Sequence, residues 1–189
     1  KASSGSNFSK RRATTGTPVT RPNCHPFVSG RWMFMHNGVI GDWPLIRRTV
    51  EATIPDELYA QRLGTTDSEA TFLAIMGANA ASDPVSATER IVGRLTELVT
   101  EAGRKHPLRF TSVLTDGKDL YAFRYSVNDK SNSLYFRAAD DNVVIVSEPL
   151  DTNRSVWTAV PPNHVLIARA GQKMELRPFL AQEHLAAAE

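Results

Sequence analysis

Between residues 84 and 106 the apolar positions recur at helical spacing. Ile91, Leu95, Leu98 and Ala102 share one stripe, which Val92 and Val99 widen, and Glu89, Arg90, Arg94, Glu97, Glu101 and Arg104 fill the polar side. This pattern predicts a helix over 84–106. It ends at His106-Pro107, because the residue before a proline is disfavoured in helical geometry. Beyond it the period changes to two. Residues 110–115, 119–125, 133–138 and 143–147 read as strands, with Asp116-Gly117 and Asp140-Asp141-Asn142 supplying turns. Residues 165–170 and 173–179 form a further hairpin around Gly171-Gln172, and 183–189 a frayed helical tail.

The first half carries a different pattern. Residues 31–40, Arg-Trp-Met-Phe-Met-His-Asn-Gly-Val-Ile, read as a buried apolar strand that runs into a polar His36-Asn37-Gly38 turn. Asp42 is placed to cap a short helix that begins at Trp43-Pro44 and carries Leu45, Ile46 and Val50 inward. A second helical piece is expected over 55–63, stopped by Gly64. Thr66 and Glu69 then have the spacing of a capping box, opening a third helix through Phe72, Leu73, Ile75 and Met76. One strand, then helices, then antiparallel hairpins is an α+β order, unlike the alternation of a parallel βαβ series.

Composition changes this picture little. A chain of 189 residues with 41% hydrophobic positions suits one domain with a substantial core. A net charge of +2 gives no warrant for a nucleic-acid or membrane partner, and no apolar run approaches the length of a transmembrane helix. Cys24 is the single cysteine, so no internal disulfide can form and a reducing, cytoplasmic setting is expected. Residues 1–11 read as a flexible or incomplete basic arm without the apolar segment of a signal peptide, and 12–189 as one domain. No phosphate-binding glycine loop and no metal-ligand spacing occurs, so neither cofactor nor metal is expected.

Three places carry chemistry. Asn37 and Gly38 set a side-chain amide beside a glycine N–H, a pair able to donate two hydrogen bonds to one oxyanion; on its own, an Asn-Gly is more simply a tight turn. Arg11 and Arg12, beside Thr14, Thr15 and Thr17, can grip a carboxylate or phosphate, or merely be solvated. The capping box does not require Asp67, whose carboxylate either serves another task or only complements the helix dipole. Cys24 and His25 are sequence neighbours, which point apart on an extended chain and make a poor catalytic dyad.

Taken together, four segments resemble the class II glutamine amidotransferases, members of the N-terminal-nucleophile hydrolase superfamily. Arg12-Ala13-Thr14-Thr15-Gly16 resembles the glutamine-binding loop, and Asn23-Cys24-His25-Pro26-Phe27 the segment before the active-site strand. His36-Asn37-Gly38-Val39-Ile40 is similar to the oxyanion motif, and Thr66-Asp67-Ser68-Glu69 to the acidic segment. Later segments, Val146-Ser147-Glu148-Pro149-Leu150, Trp157 and Val160-Pro161-Pro162-Asn163, are similar to compact stand-alone bacterial members.

The resemblance implies a four-layer α/β/β/α sandwich with antiparallel sheets. It implies that Asn37 and Gly38 form an oxyanion hole, that Arg12 holds the α-carboxylate of glutamine and that Asp67 holds its α-ammonium group. His36 is expected to be structural. The implied activity is hydrolysis of glutamine or a γ-glutamyl small molecule through a cysteine thioester, with ammonia passing to a separate synthase subunit or an amine released. Two departures stand out. The family's nucleophile is an N-terminal cysteine, whereas position 1 is lysine, and the family's His-x-Arg appears as Lys10-Arg11-Arg12. A nucleophile and opening strands lying ahead of Lys1 are the favoured expectation; the other is a non-catalytic member that binds a glutamine-like ligand or acts as a scaffold.

Overall fold

Strand β2 (Trp32–Val39) is the second of six in the larger sheet, and its two faces meet different surroundings. Trp32, Phe34 and His36 are buried while Met33 and Met35 stay partly exposed, the alternation that a period-two pattern demands. The structure is a computed structural model, and it describes residues 18, 20–101, 108–128, 130–139, 142–149 and 153–180. The expectations for 1–11, for Arg12 with its threonines, and for the 183–189 tail lie outside the described residues.

The larger sheet runs β1 (Phe27–Ser29), β2, β3 (Arg109–Thr115), β4 (Leu120–Ser126), β8 (His164–Ala168) and β9 (Glu175–Pro178), every neighbouring pair antiparallel. The smaller sheet has β5 (Tyr135–Ala139) between β6 (Asn142–Val146) and β7 (Thr158–Ala159), also antiparallel. Helices α1 (Trp43–Glu51), α3 (Asp67–Gly77) and α4 (Pro84–Glu101) cover one face of the larger sheet, with the single turn α2 (Asp56–Tyr59) packed on α3.

A run of aromatic rings forms the seam under the helices. Phe34 stacks on Phe72 of α3 at 5.4 Å, and Phe110, Phe123 and Phe179 continue the contact across the sheet. On the opposite face Val113, Ala122 and Leu166 meet Leu134, Phe136, Ile145 and Val160 of the smaller sheet and its flanks. Helices, large sheet and small sheet are thus stacked in the α/β/β order of the expected sandwich, and the α+β class with antiparallel sheets holds.

Several local expectations change. His36-Asn37-Gly38 is not a turn: β2 runs on to Val39, and Asn37, Gly38 and Val39 pair with Thr111, Phe110 and Arg109. Seven ladder pairs with β3 outweigh the local turn preference of Asn-Gly. Asp42 sits before α1 in the left-handed region (φ 52°) and makes no capping bond. Ile46 and Val50 point inward, but Leu45 is 58% exposed. The second helical piece shrinks to α2, while α4 is helical to Glu101, beyond which 102–107 are not described. The two-residue β7 was too short to register as a pattern.

Candidate active site

The end of β2 has one paired edge and one open one. β3 pairs it along its length, whereas β1 reaches only as far as Phe34, opposite Phe27. From Met35 to Val39 the β1-side edge therefore has no strand partner among the described residues. Backbone groups on such an edge are free to meet a ligand. The main chain there is held from another direction: Asn132 Nδ2 donates to the Asn37 carbonyl at 3.0 Å, and Thr111 Oγ1 donates to the Asn132 carbonyl at 3.2 Å. Arg124 steadies the same loop, donating from Nε to Ser131 Oγ at 3.1 Å and from Nη1 to the Val160 carbonyl at 2.6 Å. Burial lowers the guanidinium pKa of Arg124 from its usual value, with Tyr135 and Glu148 opposing the shift.

Helix α3 begins one residue after Thr66, whose Oγ1 accepts from the Glu69 N–H at 3.1 Å as an N-cap should. The reciprocal half of the capping box is not made. The Glu69 carboxylate turns instead to the N–H groups of Leu63 and Gly64, at 2.9 and 2.7 Å, and ties down the loop that leads into the helix. Asn23 closes that loop from the other side, accepting from the Thr65 N–H at 2.9 Å while donating to the Pro18 carbonyl at 2.8 Å. Gly64 is required there, since a Cβ would lie 2.5 Å from Asn23 Oδ1 and 2.6 Å from the Pro22 carbonyl. Arg62 adds ion pairs to Glu51 and, at 4.0 Å, to Glu69.

Asp67 occupies the first helical position and is 7% exposed, its Oδ1 accepting from the Ser68 N–H at 2.8 Å. The positive end of α3 favours a negative charge at this place. Ser68 then reaches across to β2: its Oγ lies 2.9 Å from His36 Nδ1. The other ring nitrogen, Nε2, lies 3.3 Å from the Arg109 carbonyl, which can only accept, so this nitrogen carries the proton of that bond. The imidazole is packed between Phe34 and Phe110, with ring centroids 6.4 and 5.2 Å away. His36 is a buried tie between strand and helix.

Of the residues singled out in the sequence, Asn37, Gly38 and Asp67 are thus linked through one hydrogen-bonded bridge, and Arg12 lies outside the described residues. Cys24 is exposed and donates from Sγ to the Thr20 carbonyl at 3.3 Å, and His25 packs edge-on against Phe27 at 4.7 Å. A cavity of about 390 Å³ lies at the β1 edge, lined by Arg21, Cys24, Phe27, Gln61, Glu69 and Phe72 among others, and it includes neither Asn37, Gly38 nor Asp67. Ser68, Asn132 and Arg124 escaped sequence reasoning. Only the Ser68 position, inside the acidic segment, carried any signal. Among the described residues no three His, Cys, Asp or Glu side chains gather as a metal site, and no helix is long and apolar enough to cross a membrane.

Known proteins resemble this chain across most of its length. The family model of class-II glutamine amidotransferases matches residues 8–135. The probable glutamine amidotransferase DUG3 of Saccharomyces cerevisiae is 28% identical over 212 aligned residues, 92% of this chain and 59% of the yeast protein, so the chain spans little more than half of that relative's length. The structure of a glutamine aminotransferase class-II domain protein from Silicibacter pomeroyi superposes with a TM-score of 0.76 at 36% identity, over 85% of this chain and 72% of that one. Glutamine phosphoribosylpyrophosphate amidotransferase of B. subtilis shares the fold alone, with a TM-score of 0.55 at 13% identity over 78% of this chain and 29% of that one. With its family segments in order along the chain and its fold shared with these structures, the chain belongs to the class II glutamine amidotransferases.

Proposed function

We propose that this chain is the glutamine-hydrolysing unit of an amidotransferase, acting on the side-chain amide of glutamine or of a γ-glutamyl small molecule. The observation that carries this reading is the bridge from Asp67 through Ser68 and His36 to the strand bearing Asn37 and Gly38. A free amino acid needs an anion for its ammonium group and a cation for its carboxylate, held at a set distance from the donors that meet the reacting carbonyl. Asp67 serves the ammonium group and Arg12 the carboxylate. The Asn37 side-chain amide and the Gly38 N–H face the oxyanion.

In this reading a cysteine thiolate attacks the amide carbon, and the negative charge that collects on oxygen is met by the Asn37 and Gly38 donors. Collapse expels the amide nitrogen, which leaves as ammonia by taking up the proton the thiol gave up on forming the thiolate, and the γ-glutamyl group stays on sulfur as a thioester. Water then cleaves the thioester to glutamate and restores the thiol. Cys24 is unsuited to the attack, being bonded to the Thr20 carbonyl in the loop before β1. The nucleophile is accordingly assigned to a cysteine outside these 189 residues. Ammonia passes to an acceptor bound by a separate subunit, or the amine of a γ-glutamyl substrate is released as product.

Full-length gene product tests the proposal. Ammonia release from glutamine or amine release from γ-glutamyl amides, with single-site alkylation by a glutamine-mimicking electrophile at a cysteine other than Cys24, is the expected result. Protein that neither turns over these amides nor is alkylated would sink the enzyme reading.

A further inference from the structure

His36 and Ser68 sit between the two halves of the proposed site without touching the reacting atoms in that mechanism, and their chemistry is more specific than packing requires. A buried polar pair of this kind could be replaced by apolar groups at little cost to stability if filling space were its only task. Its placement is what matters. His36 directly precedes Asn37, and alternation along β2 sends the two side chains to opposite faces of the sheet. Ser68 directly follows Asp67: its N–H holds the Asp67 Oδ1 at 2.8 Å, and its Oγ lies between that same oxygen, at 3.2 Å, and His36 Nδ1, at 2.9 Å. The second ring nitrogen is seated on the Arg109 carbonyl of β3, and a Cβ on Gly38 would come within 2.5 Å of that nitrogen. The side chain missing from Gly38 is thus what lets the ring reach across to β3.

We infer that His36 and Ser68 are positioning residues that set the distance between the Asp67 carboxylate and the Asn37–Gly38 donors, and thereby the selectivity for substrates bearing an α-ammonium group. The inference rests on the proposed role of Asp67. Ser68 occupies the second position of α3, where it neither caps the helix nor fills the apolar seam. Removing its hydroxyl therefore releases the strand-to-helix tie while Thr66 still starts the helix.

The test titrates full-length protein with L-glutamate and with glutarate, which lacks only the α-ammonium group. The affinity ratio is read for the wild type, Asp67→Asn, Ser68→Ala, Ser68→Thr and His36→Asn. Asp67→Asn is expected to abolish the preference for glutamate. Ser68→Ala lowers the preference about fivefold, the worth of one hydrogen bond, with glutarate binding little changed. Ser68→Thr keeps the hydroxyl and restores the preference. If Ser68→Ala fails to fold, His36→Asn makes the same comparison. Wild-type ratios in Ser68→Ala and His36→Asn, alongside a collapsed ratio in Asp67→Asn, overturn the positioning role and leave Asp67 standing. An unchanged ratio in Asp67→Asn defeats the role of Asp67 itself, and the inference falls with it.

Discussion

Gly38 lies against the main chain of β3 so closely that a Cβ on it would stand 1.9 Å from the carbonyl oxygen of Arg109. The obstacle is backbone, which cannot swing aside as a side-chain tip can. Gly38→Ala must push β2 away from β3 and also displace the His36 ring, whose Nε2 would lie 2.5 Å from the new methyl. A destabilisation of about 1–3 kcal/mol is expected from such overpacking. Thermal unfolding of the variant checks it. A midpoint equal to that of the wild type would show that the strand end has slack that the geometry denies.

Phe72→Ala should cost about 3–5 kcal/mol, because Phe72 is fully buried and stacks on Phe34 at the centre of the seam between α3 and the sheet. Urea denaturation measures the loss. Phe72→Leu, which leaves a smaller void, is expected to retain most of the stability, and equal losses in the two variants would contradict a cavity origin.

What the sequence discloses follows from what each element faces. Helix α4 has one solvated side, so its stripe was plain, whereas β3 and β4, covered by helices on one face and the smaller sheet on the other, are buried over consecutive residues and were legible through the Asp116-Gly117 turn between them. Helix α3 is buried from Asp67 to Ile75 and has no polar face to give a period, so its start was visible only through the Thr66 cap. The Asn37-Gly38 pair misled locally because its partners on β3 lie more than seventy residues away. The site shows the same division. Asn37, Gly38 and Asp67 belong to contiguous motifs, whereas the joining contacts, His36 to Ser68 and Asn132 to Asn37, span 32 and 95 residues and leave no pattern along the chain.

Asp83 gives a pH signature. Its carboxylate caps α4, Oδ1 accepting from the Ser86 N–H at 3.1 Å and Oδ2 from the Ser86 hydroxyl at 2.7 Å. The Ser86 hydroxyl and then its N–H hold the Asp83 pKa below the ordinary 3.8. A carboxylate whose pKa is lower in the folded than in the unfolded chain contributes its full stabilisation above the unfolded value, here 3.8, and loses it as pH falls through the folded value. Asp83→Ala should therefore cost about 1 kcal/mol at neutral pH, as for other N-caps. The gap between variant and wild type should close in strong acid. Denaturant titrations at both pH values test this, and a gap that persists in acid would point to a packing role.

Glu69→Ala should damage the loop before α3 more than the helix itself. The carboxylate is the acceptor for the N–H groups of Leu63 and Gly64, while the Thr66 cap survives its removal only through the Glu69 N–H, which alanine retains. Two stranded donors, with the Arg62 guanidinium losing one partner, are expected to cost about 1–3 kcal/mol. Hydrogen exchange should locate the loss at residues 63–65, and a loss spread evenly along α3 would contradict the assignment.

Asn37→Ala separates the proposed oxyanion role from every structural role at the end of β2. What Asn37 gives the fold is its main chain, paired opposite Thr111 and bonded through its carbonyl to Asn132, and alanine keeps both. Its side chain lies on the face of the strand opposite His36, away from the aromatic seam. Folding should be unaffected. Loss of one oxyanion donor lowers kcat about 10²–10³-fold in acyl transfer, because the bond is made to charge that develops only in the transition state. Glutamate binding, which the proposed function assigns to the charged groups at the other end of the molecule, should stay near its wild-type value. The variant is thus expected to bind and not turn over. A variant that loses glutamate affinity as much as turnover would place the Asn37 amide on the ground-state substrate, and a different donor would then have to face the oxyanion.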